Sequence, residues 1–158
     1  MPIEPTIVHM PGFTVAGLAI TTKPLASEIP ALWGTFGPRI NEVTNIAEPE
    51  VSYGVMENFD AQANTLDYMA AVSVRDTQNT PTGMVTRTLH PRTYAVFQAK
   101  LTNLGEVFGY IFNQWLPKAD QERESAPYFE RYDESFDPGN AESKVEIYIP
   151  IKPRRTDA

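Results

Sequence analysis

Apolar residues return at two different spacings along this chain, and the way the spacings alternate predicts its elements. Between Ser27 and Val43, Ile29, Trp33, Phe36 and Ile40 stand at steps of four, three and four. That places them on one stripe of a helix with 3.6 residues per turn. Leu104, Phe108, Ile111 and Trp115 repeat the same steps within a second helical stretch, Asn103–Leu116, and Trp33-Gly34 matches Phe108-Gly109. Elsewhere the pattern shortens to alternation and to β-branched and aromatic runs. These predict strands over about Phe13–Thr22, Val51–Phe59 and Leu66–Arg75, and again over Thr93–Lys100, Pro127–Asp133 and Lys144–Ile151. Ser27, and Thr102 or Asn103, suit the helix N-caps. Pro30 falls in a first turn, where its missing N–H costs little, and Pro38 ends or kinks the first helix. Asp60-Ala-Gln-Ala-Asn64 and Asp137-Pro-Gly-Asn140 supply turns between hairpin strands.

The order is β-α-β-β, twice over, which predicts an α+β fold in one domain over residues 1–158. Repeat 1 covers about 5–75 and repeat 2 about 93–152. Between them lies a Thr-, Pro-, Gly- and Asn-rich linker at about 76–92. The economical arrangement is one curved antiparallel sheet with both helices on one face. The groove between the helices, floored by the sheet, is then the natural pocket.

Composition narrows the function classes. Hydrophobic residues at 42% and charged ones at 21% are an ordinary globular balance, enough for one substantial core. Twenty acidic residues against 13 basic ones leave a net charge of −7, which argues against direct nucleic-acid binding. No cysteine is present, so disulfides, thiolate chemistry and Cys-based metal sites are excluded. The segment Met1-Pro-Ile-Glu-Pro5 lacks a secretory pattern, and no run approaches the roughly 20 apolar residues of a membrane span. A soluble, cytoplasmic protein is expected. His9 and His90 have no metal-ligand spacing, so no metal, haem or other cofactor is expected. Asp120-Gln-Glu-Arg-Glu124 predicts a solvated loop, and the basic tail Lys152-Pro-Arg-Arg155 is too short for a nucleic-acid patch. Phosphate loop, dinucleotide fingerprint and nucleophile elbow are all missing.

Candidate chemistry centres on Glu130, set among aromatics in Ala126-Pro-Tyr-Phe-Glu-Arg-Tyr132. From the pattern alone two readings stand. One is a strand glutamate facing solvent or paired with Arg131. The other is a buried carboxylate with a raised pKa, whose desolvation penalty a bound cation would relieve and aromatic walls would reinforce. Aligning Met56-Glu57 with Phe129-Glu130 makes Glu57 a weaker twin, against a solvated or ion-paired role for it. On that alignment Tyr53 and Tyr128 share the strand face of the two carboxylates. A ring on a helical stripe is either core or ligand wall. Trp33, Phe108 and Trp115 are assigned to the groove, and Phe36 and Ile111 to the core. A register shift of one residue would instead turn Glu130 outward with Tyr128 and Tyr132.

Several motifs together resemble the GyrI-like (gyrase-inhibitor-like) small-molecule-binding family, which includes effector domains of AraC-type and multidrug-responsive regulators. They are the duplicated order, Tyr94-Ala-Val-Phe97, Trp115-Leu-Pro117, Pro127-Tyr-Phe-Glu-Arg-Tyr132 and Val145-Glu-Ile-Tyr-Ile-Pro-Ile151. The resemblance implies that Glu130 lies in an aromatic inter-helix cleft and meets cationic ligands. It leads to a stand-alone sensor or regulator effector module for flat, cationic or amphipathic small molecules. The ligand-binding residues are then Glu130, Trp33, Tyr53, Phe108, Trp115 and Tyr128. Family regulators carry a separate DNA-binding domain that this chain does not show, so a DNA-binding partner protein would have to supply the promoter contact; a homodimer is the other partner expected. The alternative is a hydrolase of reactive ring compounds, with Glu130 as general base and Tyr53 or Tyr128 as acid. Charge mimicry toward a protein partner ranks below both, since −7 is modest for that role.

Overall fold

Each segment of β-branched and aromatic alternation folds as a strand, and each apolar stripe as a helix, in a computed structural model that describes residues 3–154. Met1, Pro2 and, from the basic tail, Arg155 lie outside the described residues. In chain order the elements are β1 (Thr6–Met10), β2 (Phe13–Thr22), α1 (Glu28–Phe36), β3 (Ser52–Asp60), β4 (Thr65–Val74), β5 (Val85–Leu89) and β6 (Arg92–Lys100). They continue as α2 (Leu104–Tyr110), a π-helical turn (Ile111–Trp115), α3 (Leu116–Lys118), β7 (Gln121–Arg123), β8 (Tyr128–Tyr132) and β9 (Lys144–Pro153). Pro38 ends α1 as its missing donor requires, and the chain tightens into a 3-10 turn over Gly37–Glu42. Neither Ser27 nor Asn103 provides a side-chain cap. Instead Thr22 donates to Glu28 at 2.7 Å at the head of α1, and Asn103 accepts from the Lys100 N–H at 2.7 Å.

All strands join one antiparallel sheet in the order β1-β6-β9-β8-β3-β4-β2-β5, with β7 pairing β9. The two repeats, β2-β4-β3 and β8-β9-β6, meet at β3 and β8. Three strands depart from the sequence reading. β1 precedes the first predicted strand, β5 lies in the predicted linker, and β7 lies in the predicted solvated loop. Short polar strands such as Val85-Thr-Arg-Thr-Leu89 carry little alternation of their own and are ordered by the strand they join. β1 and β5 also cross over, β1 extending the second repeat and β5 the first.

The connections force the sheet to roll. Six strand spacings separate β1 from β2, and β5 from β6, in the sheet order; in a flat sheet that is about 29 Å. Met10 to Phe13 and Leu89 to Arg92 are three residue steps each, about 11 Å at full stretch. The two links meet, since a Cβ on Gly12 would lie 3.1 Å from both Leu89 O and Pro91 Cδ. Inside the roll packs an aromatic cluster of Tyr53, Tyr94, Phe129 and Tyr148 with Phe13. On the opposite face, Leu32 and Phe36 of α1 cover the first repeat, and Val107 and Ile111 cover the second. Among the described residues, no helix is long and apolar enough to cross a membrane.

Candidate functional site

The floor between the helices is built from three adjacent strands. Tyr68 of β4, Met56 of β3 and Tyr128 of β8 stand in one cross-strand row, and Ala70, Gly54 and Glu130 in the next. Directly opposed residues of antiparallel strands share a face, so Glu130 rises from this floor beside Tyr128. Gly54 has no side chain to fill its place in the row, and Tyr68 leans across it. The Tyr68 hydroxyl donates to Glu130 Oε1 at 3.0 Å, and the Tyr132 hydroxyl donates to the same oxygen at 2.7 Å. Behind them Trp33 Nε1 donates to the Tyr68 oxygen at 2.9 Å. A Cβ on Gly54 would strike the Tyr68 hydroxyl and lie 2.6 Å from Glu130 Oε1. The glycine is what makes room for the network.

Glu130 is 4% exposed. Burial pushes its pKa above the usual glutamate value, and the two phenol hydrogen bonds pull it only part of the way back. The same burial, together with the carboxylate's charge, pushes Tyr68 and Tyr132 well above the ordinary tyrosine range, so both remain O–H donors. Among the described residues no cationic side chain pairs with Glu130. Arg131 turns to the other face and meets Glu48 and Glu146 at 3.4 and 3.3 Å. The carboxylate is thus held by neutral donors alone.

Above this floor lies a cavity of about 1170 Å³ walled by the two helices. Ile29 and Trp33 form one wall, and Leu104, Phe108 and Phe112 the other. Phe108 and Phe112 stack at 6.5 Å, and Tyr128 meets both edge-on at 6.3 and 5.8 Å. Trp33 meets Tyr132 edge-on at 5.6 Å. The rim carries Leu25, Phe59 and Leu101, exposed apolar side chains at 63%, 50% and 36%. Leu25 holds a φ of 58°, a strained conformation for a residue with a Cβ. A large apolar cavity around one buried charge and a few hydroxyls has the make-up of a small-molecule site.

A family model described as the GyrI-like small molecule binding domain matches residues 3–152. The chain belongs to the GyrI-like family. It is a small-molecule-binding domain. The transcriptional regulator BrlR of Pseudomonas aeruginosa is 34% identical over an alignment of 149 residues that covers 92% of this chain and 54% of BrlR. The chain therefore spans about half the length of that curated relative. The C-terminal domain of EcmrR superposes with a TM-score of 0.73 at 15% identity, covering 98% of this chain and 100% of that one. SAV2435 bound to tetraphenylphosphonium superposes with a TM-score of 0.67 at 20% identity, covering 95% and 94%. These two likenesses carry the fold.

In this GyrI-like domain Glu130, Trp33, Phe108 and Tyr128 all line the cavity. Tyr53 does not: it lies in the cluster inside the roll, donating to Glu48 at 2.7 Å. It shares the face of Glu57, as expected, but that is the face opposite Glu130. The register pairs Gly54 with Glu130; Glu57 lies three residues on, and an odd offset puts a side chain on the opposite face of a strand. Glu57 pairs with Arg87 at 3.1 Å. Trp115 is also outside the cavity, packed edge-on against Phe97 at 5.1 Å in the second-repeat core. The apolar positions of α2 and the π-helical turn that continues it form two stripes, not one. Val107, Ile111 and Trp115 face the sheet, while Leu104, Phe108 and Phe112 face the cavity. Phe36 and Ile111 are fully buried in the core. Tyr68, Tyr132, Gly54 and Phe112 are the site residues that pattern reading passed over. A glycine inside a strand, in Tyr53-Gly54-Val55, was the available signal of a close approach.

Proposed function

We propose that this domain captures flat or bulky aromatic cations between its helices, with Glu130 as the counter-charge, and acts as an effector module, alone or with a DNA-binding partner. The observation that carries this reading is a buried carboxylate held, among the described residues, only by neutral hydroxyls beneath an aromatic cavity. A buried anion without a cationic partner is costly. An organic cation in the cavity would supply the missing charge, and the ring faces of Trp33, Phe108, Phe112 and Tyr128 would add cation–π attraction of roughly 0.5–2 kcal/mol. Few polar groups fix a ligand's orientation, which suits tolerance of several ligands over recognition of one. SAV2435, whose fold this chain shares, is known bound to tetraphenylphosphonium, and BrlR is a transcriptional regulator. Both support the reading.

The test is a titration of tetraphenylphosphonium, with triphenylphosphine oxide as neutral control, followed by the fluorescence of Trp33 in a Trp115→Phe background. Saturable binding of the cation, weakened about tenfold or more (about 1.4 kcal/mol) by Glu130→Gln, is the expected outcome. Equal binding by Glu130→Gln, or no preference for the cation, sinks the proposal.

A further inference from the structure

The cavity has a second charged group. Arg123, the last residue of β7, lines it, and its guanidinium carbon lies 5.7 Å from the ring centroid of Tyr128. Its two flanking carboxylates are taken by other cations, Glu122 by Lys152 at 3.8 Å and Glu124 by Arg92 at 3.7 Å. Among the described residues no carboxylate pairs with Arg123, nor with Arg75 or Arg154, whereas Arg39, Arg87 and Arg92 each have one and Arg131 has two. Tyr128 and Asn113, each with a donor group, line the same cavity. Among the described residues the one carboxylate lining the cavity, Glu130, is turned toward Tyr68 and Tyr132. Tyr128 and Glu130 are two residues apart on β8, about 7 Å along the strand, so the guanidinium over Tyr128 and the Glu130 carboxylate are offset along one space.

We propose that Arg123 makes this cavity dipolar, so that its preferred ligands are amphoteric aromatic molecules, cationic toward Glu130 and carrying a carboxylate or similar acceptor toward Arg123. The proposal rests on the cation site above and deepens it. A guanidinium stacked on a ring keeps its edge N–H groups free, and those are the groups that grip a carboxylate in a fork. The same charge opposes a second cationic group at that end, so dications are discriminated against. Tyr128 serves both ends, as the surface under Arg123 and as an aromatic wall near Glu130.

Rhodamine 6G and its free acid, rhodamine 19, share a cationic xanthene and differ in whether the pendant group is an ester or a carboxylate. Fluorescence anisotropy titrations of both dyes on the full chain, as wild type, Arg123→Ala and Glu130→Gln, separate the two claims. The free acid is expected to bind wild type about fivefold tighter or more than the ester, from its charge-assisted contact. Arg123→Ala is expected to abolish that preference by weakening the acid alone. Equal or tighter binding of the ester by wild type, an unchanged preference in Arg123→Ala, or failure of both dyes to bind overturns the amphoteric proposal. Tetraphenylphosphonium binding lost in Glu130→Gln would leave the cation site standing in any of those cases. Binding of both dyes and of tetraphenylphosphonium unchanged in Glu130→Gln would instead remove the cation site itself, and the amphoteric proposal with it.

Discussion

Glu130 stays buried in aromatic surroundings because two phenols donate to one of its oxygens while bringing no positive charge. A lysine or arginine there would satisfy the carboxylate better and leave nothing for a ligand. The raised pKa has a direction that can be measured. Affinity for a permanently charged cation is expected to rise as pH climbs from the ordinary value of 4.5 through the raised one, then level off. Stability should run the other way. A folded-state pKa above the unfolded one favours folding fully below the unfolded value, and that contribution is lost as pH rises through the folded value. Glu130→Gln should flatten both curves, as read by ligand titration and thermal melts across pH. Gly54→Ala tests the geometry: its methyl displaces the Tyr68 hydroxyl and the carboxylate together. It is expected to cost on the order of 1–3 kcal/mol and to weaken cation binding at least as much as Glu130→Gln, by denaturation and by the same titration. Unchanged binding in Gly54→Ala would mean that the hydroxyl network does not prepare the carboxylate.

The helices hold the cavity open at some expense to themselves. Gly34 and Gly109 occupy equivalent places in α1 and α2, and a Cβ added at either meets nothing within 4 Å. Glycine inside a helix costs up to about 1 kcal/mol relative to alanine, and packing offers no reason for it here. Gly109→Ala is therefore expected to stabilise the fold by up to about 1 kcal/mol, with little change in ligand affinity. Gly109→Leu should keep that stability while narrowing the cavity, weakening a bulky aromatic cation about tenfold or more. A melt and a titration on the pair distinguish an open groove wall from an idle position. Both helices, and the match between Trp33-Gly34 and Phe108-Gly109, were legible because the 3.6 period repeats in both halves. Which rings of a broad apolar stripe face the sheet and which the cavity was not. Trp115 and Phe112 are separated by the placement of the helix on the sheet, a property of two elements together.

Rolling the sheet gives the molecule two cores on opposite faces of the same strands. Phe129 is fully buried at the centre of the inner one, 4.6 Å from Tyr148, 5.2 Å from Tyr94 and 5.5 Å from Tyr53. Its neighbour Glu130 points to the other face, so β8 bears stability on one side and the site on the other. Phe129→Ala is expected to cost about 3–5 kcal/mol, a fall in Tm on the order of 10 °C. Tyr94→Phe in the same cluster should do the reverse. The Tyr94 hydroxyl is buried without a hydrogen-bond partner among the described residues, and burial pushes its pKa up to about 12. Removing it should stabilise by about 1 kcal/mol; a clear loss in chemical denaturation would mean that the hydroxyl has a partner after all.

Local periodicity by itself determined the elements of the two repeats, their order, and the presence of a carboxylate in an aromatic strand, because these depend on side chains a few residues apart. The α+β class and the inter-helix groove followed from the duplication. Only the tertiary structure decided the register of β3 against β8, which exchanged Tyr53 and Glu57 for Gly54 and Met56 beside Glu130. Only it recruited β1, β5 and β7, whose hydrogen bonds come from strands far away in sequence. Those choices are long-range. Pairing partners satisfy backbone groups in the same way whichever face a side chain takes, and which face is buried is settled when the sheet rolls and the helices close over it.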